Sequence, residues 1–115
     1  MRGTIKIGAS DVEMLANAAS PIIFRQVFHE DFLREMQGIT EKTGEKAVDL
    51  FSKMGFVMAM QVTRPIAQLG SLCYGDFLTW LSGFEPYDLM NAISDIAMLY
   101  NNQELTTSTA KKEEG

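Results

Sequence analysis

The 115 residues are enough for one domain, which would bury about two thirds of its unfolded surface without disulfides. The net charge of −5, with ten Lys and Arg residues scattered along the chain, argues against a nucleic-acid-binding protein, because phosphate contacts require clustered cations. The single cysteine, Cys73, excludes an intramolecular disulfide framework and a multi-cysteine metal site. We find neither a secretory signal nor the roughly 18 apolar residues of a membrane helix, which predicts a soluble, intracellular protein that binds no membrane.

The N-terminal segment predicts a short β-hairpin. Thr4–Gly8 alternates apolar and polar residues as a half-buried strand does, and Val12–Ala16 can return as a second strand. Turn-forming residues lie between them, from Gly8 to Asp11. A short capped helix from Asp11 fits the second half as an alternative, and the hairpin is the preferred interpretation.

A first helix is predicted from Pro21 to about Gln37, with Gly38 ending it. Ser20 fits the N-cap position and proline fits the first helical position, where its missing N–H costs nothing. The apolar stripe of this helix consists of Ile23, Phe24, Val27 and Phe28. His29-Glu30-Asp31 interrupts the stripe, so a kink or two short helices would fit as well.

The second predicted helix follows the polar connection of residues 40–46. Its apolar face carries Ala47, Leu50, Phe51, Met54 and Met58. From Phe56 to Val62 only Gln61 is polar, which indicates a central core element or part of an interface. A buried strand is the competing interpretation, but the helical pattern leading into this stretch favours a helix. Arg64-Pro65 should end or kink it.

Two shorter elements complete the predicted fold. Gly70, Ser71 and Gly75 mark a loop, Asp76–Ser82 predicts a third helix that Gly83 ends, and a fourth helix runs from Pro86 to about Tyr100. The predicted fold is therefore mainly α, a small domain of about four helices over residues 1–101 with a possible N-terminal hairpin. Residues 102–115 are polar and predict a disordered, flexible tail.

Residues that could support catalysis are scarce. His29 is the only histidine, which excludes a zinc site of the HExxH type and leaves one residue on which a Ser-His-Asp triad could depend. No glycine-rich nucleotide-binding motif occurs, and Cys73 has no adjacent cation to activate its thiol. We expect a protein that is not an enzyme and that carries no cofactor and no metal.

Residues suited to partner binding are more numerous, although each also fits a structural role. Methionines on the second helix suit a core or an adaptable contact surface, Trp80 suits either as well, and Arg25 suits an exposed ion pair or an interface contact. The candidate partner-binding residues are Phe24, Arg25, Phe28, Asp31, Met54, Met58, Trp80 and Leu81. We expect homo-oligomers formed through the Phe56–Val62 region.

Two blocks of the sequence resemble a known family. Ala16-Asn17-Ala18-Ala19-Ser20-Pro21 followed by Arg25-Gln26-Val27-Phe28-His29-Glu30-Asp31 resembles the N-terminal region of phage tail assembly chaperones, especially those of siphophages of Gram-positive hosts. Met54–Gln61, Phe77–Glu85 and Pro86–Tyr100 are similar to the later part of the family, so that the resemblance covers about residues 4–101. His29 stands where the family usually has glycine, which argues against a sharp turn and leaves a continuous helix possible.

The resemblance implies a non-structural morphogenesis factor in the cytoplasm of an infected or lysogenic bacterium. Such chaperones coat the long tape measure protein before the tail tube polymerises, and a frameshifted long form recruits tail tube protein. Lys111-Lys112 could be encoded by a heptamer suited to such slippage. A structural tail-completion or connector protein retained in the virion is the alternative, and a host-interaction adaptor is a third.

Overall fold

The structure is a computed structural model that describes residues 1–39 and 44–101. The predicted flexible tail, residues 102–115, and residues 40–43 of the predicted connection lie outside the described residues. The elements in chain order are β1 (Arg2–Ile7), β2 (Ser10–Leu15), α1 (Ser20–Phe28), α2 (Phe32–Gln37), α3 (Glu45–Thr63), α4 (Ile66–Leu69), α5 (Tyr74–Leu81) and α6 (Pro86–Glu114), the last with side chains described as far as Asn101. The predicted mainly helical fold with an N-terminal hairpin is confirmed.

The hairpin joins two antiparallel strands through a two-residue turn at Gly8 and Ala9. Gly8 has a φ of 64°, and glycine at the first turn position with positive φ is what type II′ hairpin turns require. One face of the hairpin, with Ile5, Ile7 and Met14, is buried against the helices. The strands therefore alternate as the sequence pattern predicts, and the short-helix alternative for the second half is wrong.

The predicted first helix is divided into α1 and α2 by a sharp turn at His29. His29 has a left-handed backbone (φ 56°, ψ 35°), and its N–H donates to the Arg25 carbonyl at 2.8 Å. Asp31 then begins α2, because its carboxylate accepts from the N–H groups of Leu33 and Arg34. Two short helices are thus confirmed, and the continuous helix that the His29 substitution left open is wrong.

The long helix α3 is the centre of the domain. Every residue from Leu50 to Ala59 is buried, so that this stretch has no solvent-facing side. It packs against β2 and against each of the other helices. Arg64 has extended backbone before Pro65 and ends the helix where the Arg-Pro pair predicts. The competing interpretation of a buried strand is wrong.

A glycine in the middle of α3 allows three elements to meet. A Cβ placed on Gly55 would lie 3.1 Å from Ile96 Cδ1 on α6 and 3.5 Å from Met14 Cε on β2. Both neighbouring side chains are fully buried. Only a residue without a side chain fits this crossing without moving its neighbours.

The C-terminal half differs from prediction in two details. A single helical turn, α4, which the sequence analysis did not predict, lies between Pro65 and the predicted loop, and α5 begins at Tyr74, two residues before the predicted start. The Asp76 carboxylate accepts from the Cys73 N–H at 2.9 Å, and this hydrogen bond, with that to the Cys73 side chain, lowers the pKa of Asp76. The hydrogen bond between the Asp76 carboxylate and the Cys73 N–H therefore caps α5 and fixes where this helix begins.

No helix within residues 1–39 and 44–101 combines the length and the apolar character needed to cross a bilayer.

We predict that His29→Gly stabilises the protein by about 1 kcal/mol, because glycine removes the cost of a β-carbon in the left-handed region. The melting temperature should rise by about 4 °C. His29→Ala is the matched control: it also removes the imidazole but keeps the β-carbon, and should give no such gain. Equal melting temperatures for the two variants would show that backbone strain at residue 29 contributes nothing.

Candidate partner-binding surface

A groove lined mainly by apolar side chains lies between the end of β2, α1 and α4. Its volume is about 500 Å³. The apolar lining consists of Leu15, Ala19, Ile22, Ile23, Ile66 and Leu69, and the amide side chains of Asn17, Gln26 and Gln61 provide the polar part. Ile22 is 71% exposed and Ile66 is 88% exposed. No ionisable side chain lines this apolar groove, so it suits an uncharged partner surface.

A smaller depression of about 280 Å³ adjoins the groove across Ile22, which lines both. Its other lining residues include Leu33, about half of which is exposed. Exposed apolar side chains from α2, α1 and α4 therefore follow one another over this side of the domain. Such a surface can accept the apolar stripe of a partner helix, in which residues three and four apart project on one face.

A hydrogen-bonded network of three polar residues fixes one end of the groove. The fully buried hydroxyl of Ser20 accepts from the Asn17 N–H at 3.0 Å and donates to Gln61 Oε1 at 2.7 Å. Gln61 Nε2 donates in turn to Asn17 Oδ1 at 2.8 Å. The network ties the start of α1 to the end of α3. The predicted role of Ser20 as N-cap is wrong, because its side chain is used here and Ala19 occupies the cap position.

Two predicted partner-binding residues, Arg25 and Asp31, lie on the surface and contact each other. Arg25 Nη2 lies 3.3 Å from Asp31 Oδ2, and both side chains are substantially exposed. The second carboxylate oxygen of Asp31 caps α2. Arg25 therefore forms an exposed ion pair, one of the two roles that the sequence analysis gave it. Such a pair contributes about 0–1 kcal/mol to the stability of the fold. Both residues also border the smaller depression.

Three predicted partner-binding residues, Phe24, Met54 and Met58, lie in the core with no exposed surface. A partner cannot contact them while the domain is closed, so these assignments are corrected. In the region predicted for self-association, Phe56–Val62, the residues Phe56–Ala59 are buried against other elements of the same chain, whereas Met60, Gln61 and Val62 are half-buried. The all-round apolar character of this stretch reflects a central helix, which was the other interpretation of the pattern.

Phe28, Trp80 and Leu81 are half-buried and pack against the core. The Phe28 ring lies 5.1 Å from that of Phe77, and the Trp80 ring lies 4.9 Å from that of Phe84. These edge-to-face pairs belong to an aromatic network that joins α1, α3 and α5. The three side chains therefore pack against the core while part of each is exposed to solvent. None of them lines the apolar groove.

The sequence interpretation missed the residues that form the groove. Ile22 lies beside Arg25 and Gln26 on the side of α1 away from the core, and an isoleucine among polar neighbours was a signal of an exposed contact. Ile66 gave no comparable signal, because its exposure depends on the short helix after Pro65. Gln61 was visible as the lone polar residue in an apolar run, although its partners 41 and 44 residues earlier were not.

A buried lysine on α3 was also missed. Lys53 Nζ lies 3.0 Å from a carboxylate oxygen of Glu30 and 3.0 Å from one of Asp49, and 5.4 Å from the centre of the Phe28 ring. Burial disfavours its charge, but the hydrogen bonds that Lys53 donates to Asp49 and Glu30 outweigh this effect and raise the pKa of Lys53 above its ordinary 10.5. The lysine connects α3 to the turn between α1 and α2.

Among the described residues, no group of three or more His, Cys, Asp and Glu side chains is arranged to hold a metal ion.

Comparison with models of protein families, with characterised proteins and with solved structures finds no match to this chain.

We predict that Ser20→Ala lowers the free energy of unfolding by about 1–3 kcal/mol, because it leaves the Asn17 N–H and Gln61 Oε1 without a partner. Urea denaturation measures the change. Ser94→Ala, which removes an exposed hydroxyl on α6, is the control and should change stability by less than about 0.5 kcal/mol. Equal effects at the two positions would contradict a structural role for the network.

We predict that Lys53→Met lowers stability at neutral pH by about 1 kcal/mol, and that this difference shrinks at high pH. The raised pKa of Lys53 means that its contribution is complete below pH 10.5 and is lost as the pH rises through the folded-state pKa. Urea midpoints of protein and variant at neutral and alkaline pH test this. Lys46→Met, an exposed lysine on the same helix, is the control, and a Lys53→Met difference that does not change with pH would contradict the prediction.

Proposed function

We propose that this protein is a tail assembly chaperone of a phage, which binds apolar helical segments of the tape measure protein and keeps that protein soluble before the tail tube polymerises. The proposed site is the apolar groove with its extension across Ile22 to Leu33. In this role the protein acts by binding, as a non-enzymatic factor in the bacterial cytoplasm. Recruitment of tail tube protein by a frameshifted long form belongs to the same proposal.

The observation that carries the proposal is the pair of highly exposed isoleucines, Ile22 and Ile66, beside a groove without ionisable side chains. Aliphatic side chains exposed to this extent next to an apolar depression mark a protein-interaction surface more often than a random surface position. The groove is built largely from Asn17–Gln26, within the segment that carries the resemblance to tail assembly chaperones. Surface chemistry and sequence resemblance thus support the same region.

The proposal also agrees with the physical problem that such a client presents. A tape measure protein is long and largely helical, and its apolar stripes would aggregate if they stayed exposed to water. One small groove gives a weak contact, but many copies bound along one client produce a strong array. The net charge of −5 per copy keeps such an assembly soluble. Self-association within the array is part of the proposal and must use surfaces other than Phe56–Ala59.

Co-expression with the tape measure protein, through an affinity tag on this chain, tests the proposal. We predict that the client stays soluble and co-purifies, and that Ile22→Asp or Ile66→Asp lowers the recovered client on the order of tenfold, because a carboxylate would be desolvated in the groove. Both positions are exposed, so the variants should fold as the parent does. Leu78→Asp, at an exposed leucine on α5 outside the groove, is the matched control.

Two results would contradict the proposal. In the first, the client precipitates as it does alone, even with the frameshifted long form present. In the second, the groove variants recover as much client as the Leu78→Asp control. Mass spectrometry of purified virions distinguishes the proposed chaperone from the alternative, a structural tail-completion or connector protein. A chaperone is absent from mature tails, whereas a tail-completion or connector protein is present.

A further inference from the structure

The outward face of α6 carries a stripe of apolar side chains, each of which is at least half exposed to solvent. Tyr87 is 77% exposed, Met90 is 50% exposed and Met98 is 55% exposed. Helical spacing places them on one side with Ser94 between them, opposite the buried Ile93 and Ile96 on the other side of the same helix. Isolated exposed apolar residues are normal on any protein surface, but three large ones aligned along one helix face form a continuous apolar surface.

The charge around this stripe has one sign. Between residues 65 and 101 the chain contains the carboxylates Asp76, Glu85, Asp88 and Asp95 and no lysine, arginine or histidine. Asp95 and Glu85 are exposed, one on the flank of the stripe and the other just before the helix. An incoming partner therefore meets apolar side chains beside negative charge, with no lysine, arginine or histidine among residues 65–101 to neutralise it. The cations Arg2 and Lys6 of the neighbouring hairpin are paired with Glu13 and Asp11.

We propose that this face of α6 docks a basic amphipathic helix of a partner protein. The apolar residues of that helix would pack on Tyr87, Met90 and Met98, while its lysine or arginine side chains would lie near Asp95 and Glu85. Methionine side chains are flexible and polarisable, so this surface accommodates apolar side chains of different shapes. Opposite charge gives the docking its orientation and its rate. The face shares no residue with the apolar groove, and the inference does not depend on the proposed function.

Charge distinguishes this surface from the apolar groove. The groove has no ionisable lining and selects an uncharged apolar stripe, whereas the α6 face selects a partner with positive charge beside its apolar residues. An acidic partner, an anionic membrane or a nucleic acid would be repelled at the α6 face. One domain thus carries two surfaces with different selectivity, and two different protein segments can be bound at once.

A synthetic amphipathic helix of leucine and lysine, about four turns long, is the probe for this test. A peptide with glutamate in place of every lysine has the same apolar face and serves as the first control. We expect the full-length protein to bind the lysine peptide at least about tenfold more tightly than the glutamate peptide, measured by fluorescence anisotropy at low salt. Met98→Asp should weaken binding of the lysine peptide about tenfold, although it adds negative charge, because it interrupts the apolar stripe.

A second variant separates docking from nonspecific charge attraction. Leu78→Asp adds the same charge at an exposed leucine of α5, which belongs neither to the apolar groove nor to the α6 stripe, and should leave the affinity for the lysine peptide unchanged within about twofold. Asp95→Lys keeps the apolar stripe, reverses one charge and should weaken binding as well. Equal affinity of the parent, Met98→Asp and Asp95→Lys proteins would overturn the proposal, as would equal binding of the two peptides. Circular dichroism and the melting temperature establish that each variant is folded.

Discussion

The fold depends on the complete burial of the middle of α3. A helix that is apolar on all sides is stable in water only if other elements cover every side of it, and here β2 and all the other helices share that task. The consequence is tight geometry at the crossing points. Gly55 gives α6 and β2 room to approach, and Lys53, the one charged residue in the buried run, is held by two carboxylates. The need to cover α3 therefore determines where the other elements lie, and with them which side chains remain on the surface of the domain.

The groove is a product of this arrangement. α1 is tied to the end of α3 through a hydrogen bond between Ser20 and Gln61, and α4 begins directly after Pro65, where α3 has ended, and contacts α3. The space between them is lined by apolar side chains that the core leaves uncovered. Rigid support from α3 matters for binding, because a preformed groove loses less conformational entropy when a partner enters it.

Sequence patterns predicted those features that depend on local chemistry. The alternation in the hairpin, the long apolar helix and its end before Arg64-Pro65 are of this kind. Features that depend on distant contacts were not predictable. The left-handed backbone of His29 has no signature in the sequence. The turn there is stabilised by the Asp31 cap and by the ion pair between the adjacent Glu30 and Lys53 on another helix. The residues that line the groove come from β2, α1, α3 and α4, and no local pattern shows that these four elements lie side by side.

The first strand packs directly on the last helix. A Cβ on Gly3 would lie 2.9 Å from Leu99 Cδ1, and one on Gly8 would collide with the carboxylate of Asp88. These contacts join residues that are far apart in the chain, so almost the whole sequence of the domain lies between the contacting residues. During synthesis, the apolar face of the hairpin has no cover on this side until α6 leaves the ribosome. Completion of the domain is thus coupled to the end of translation of its helical body, and an arrest before α6 would leave an exposed, aggregation-prone hairpin.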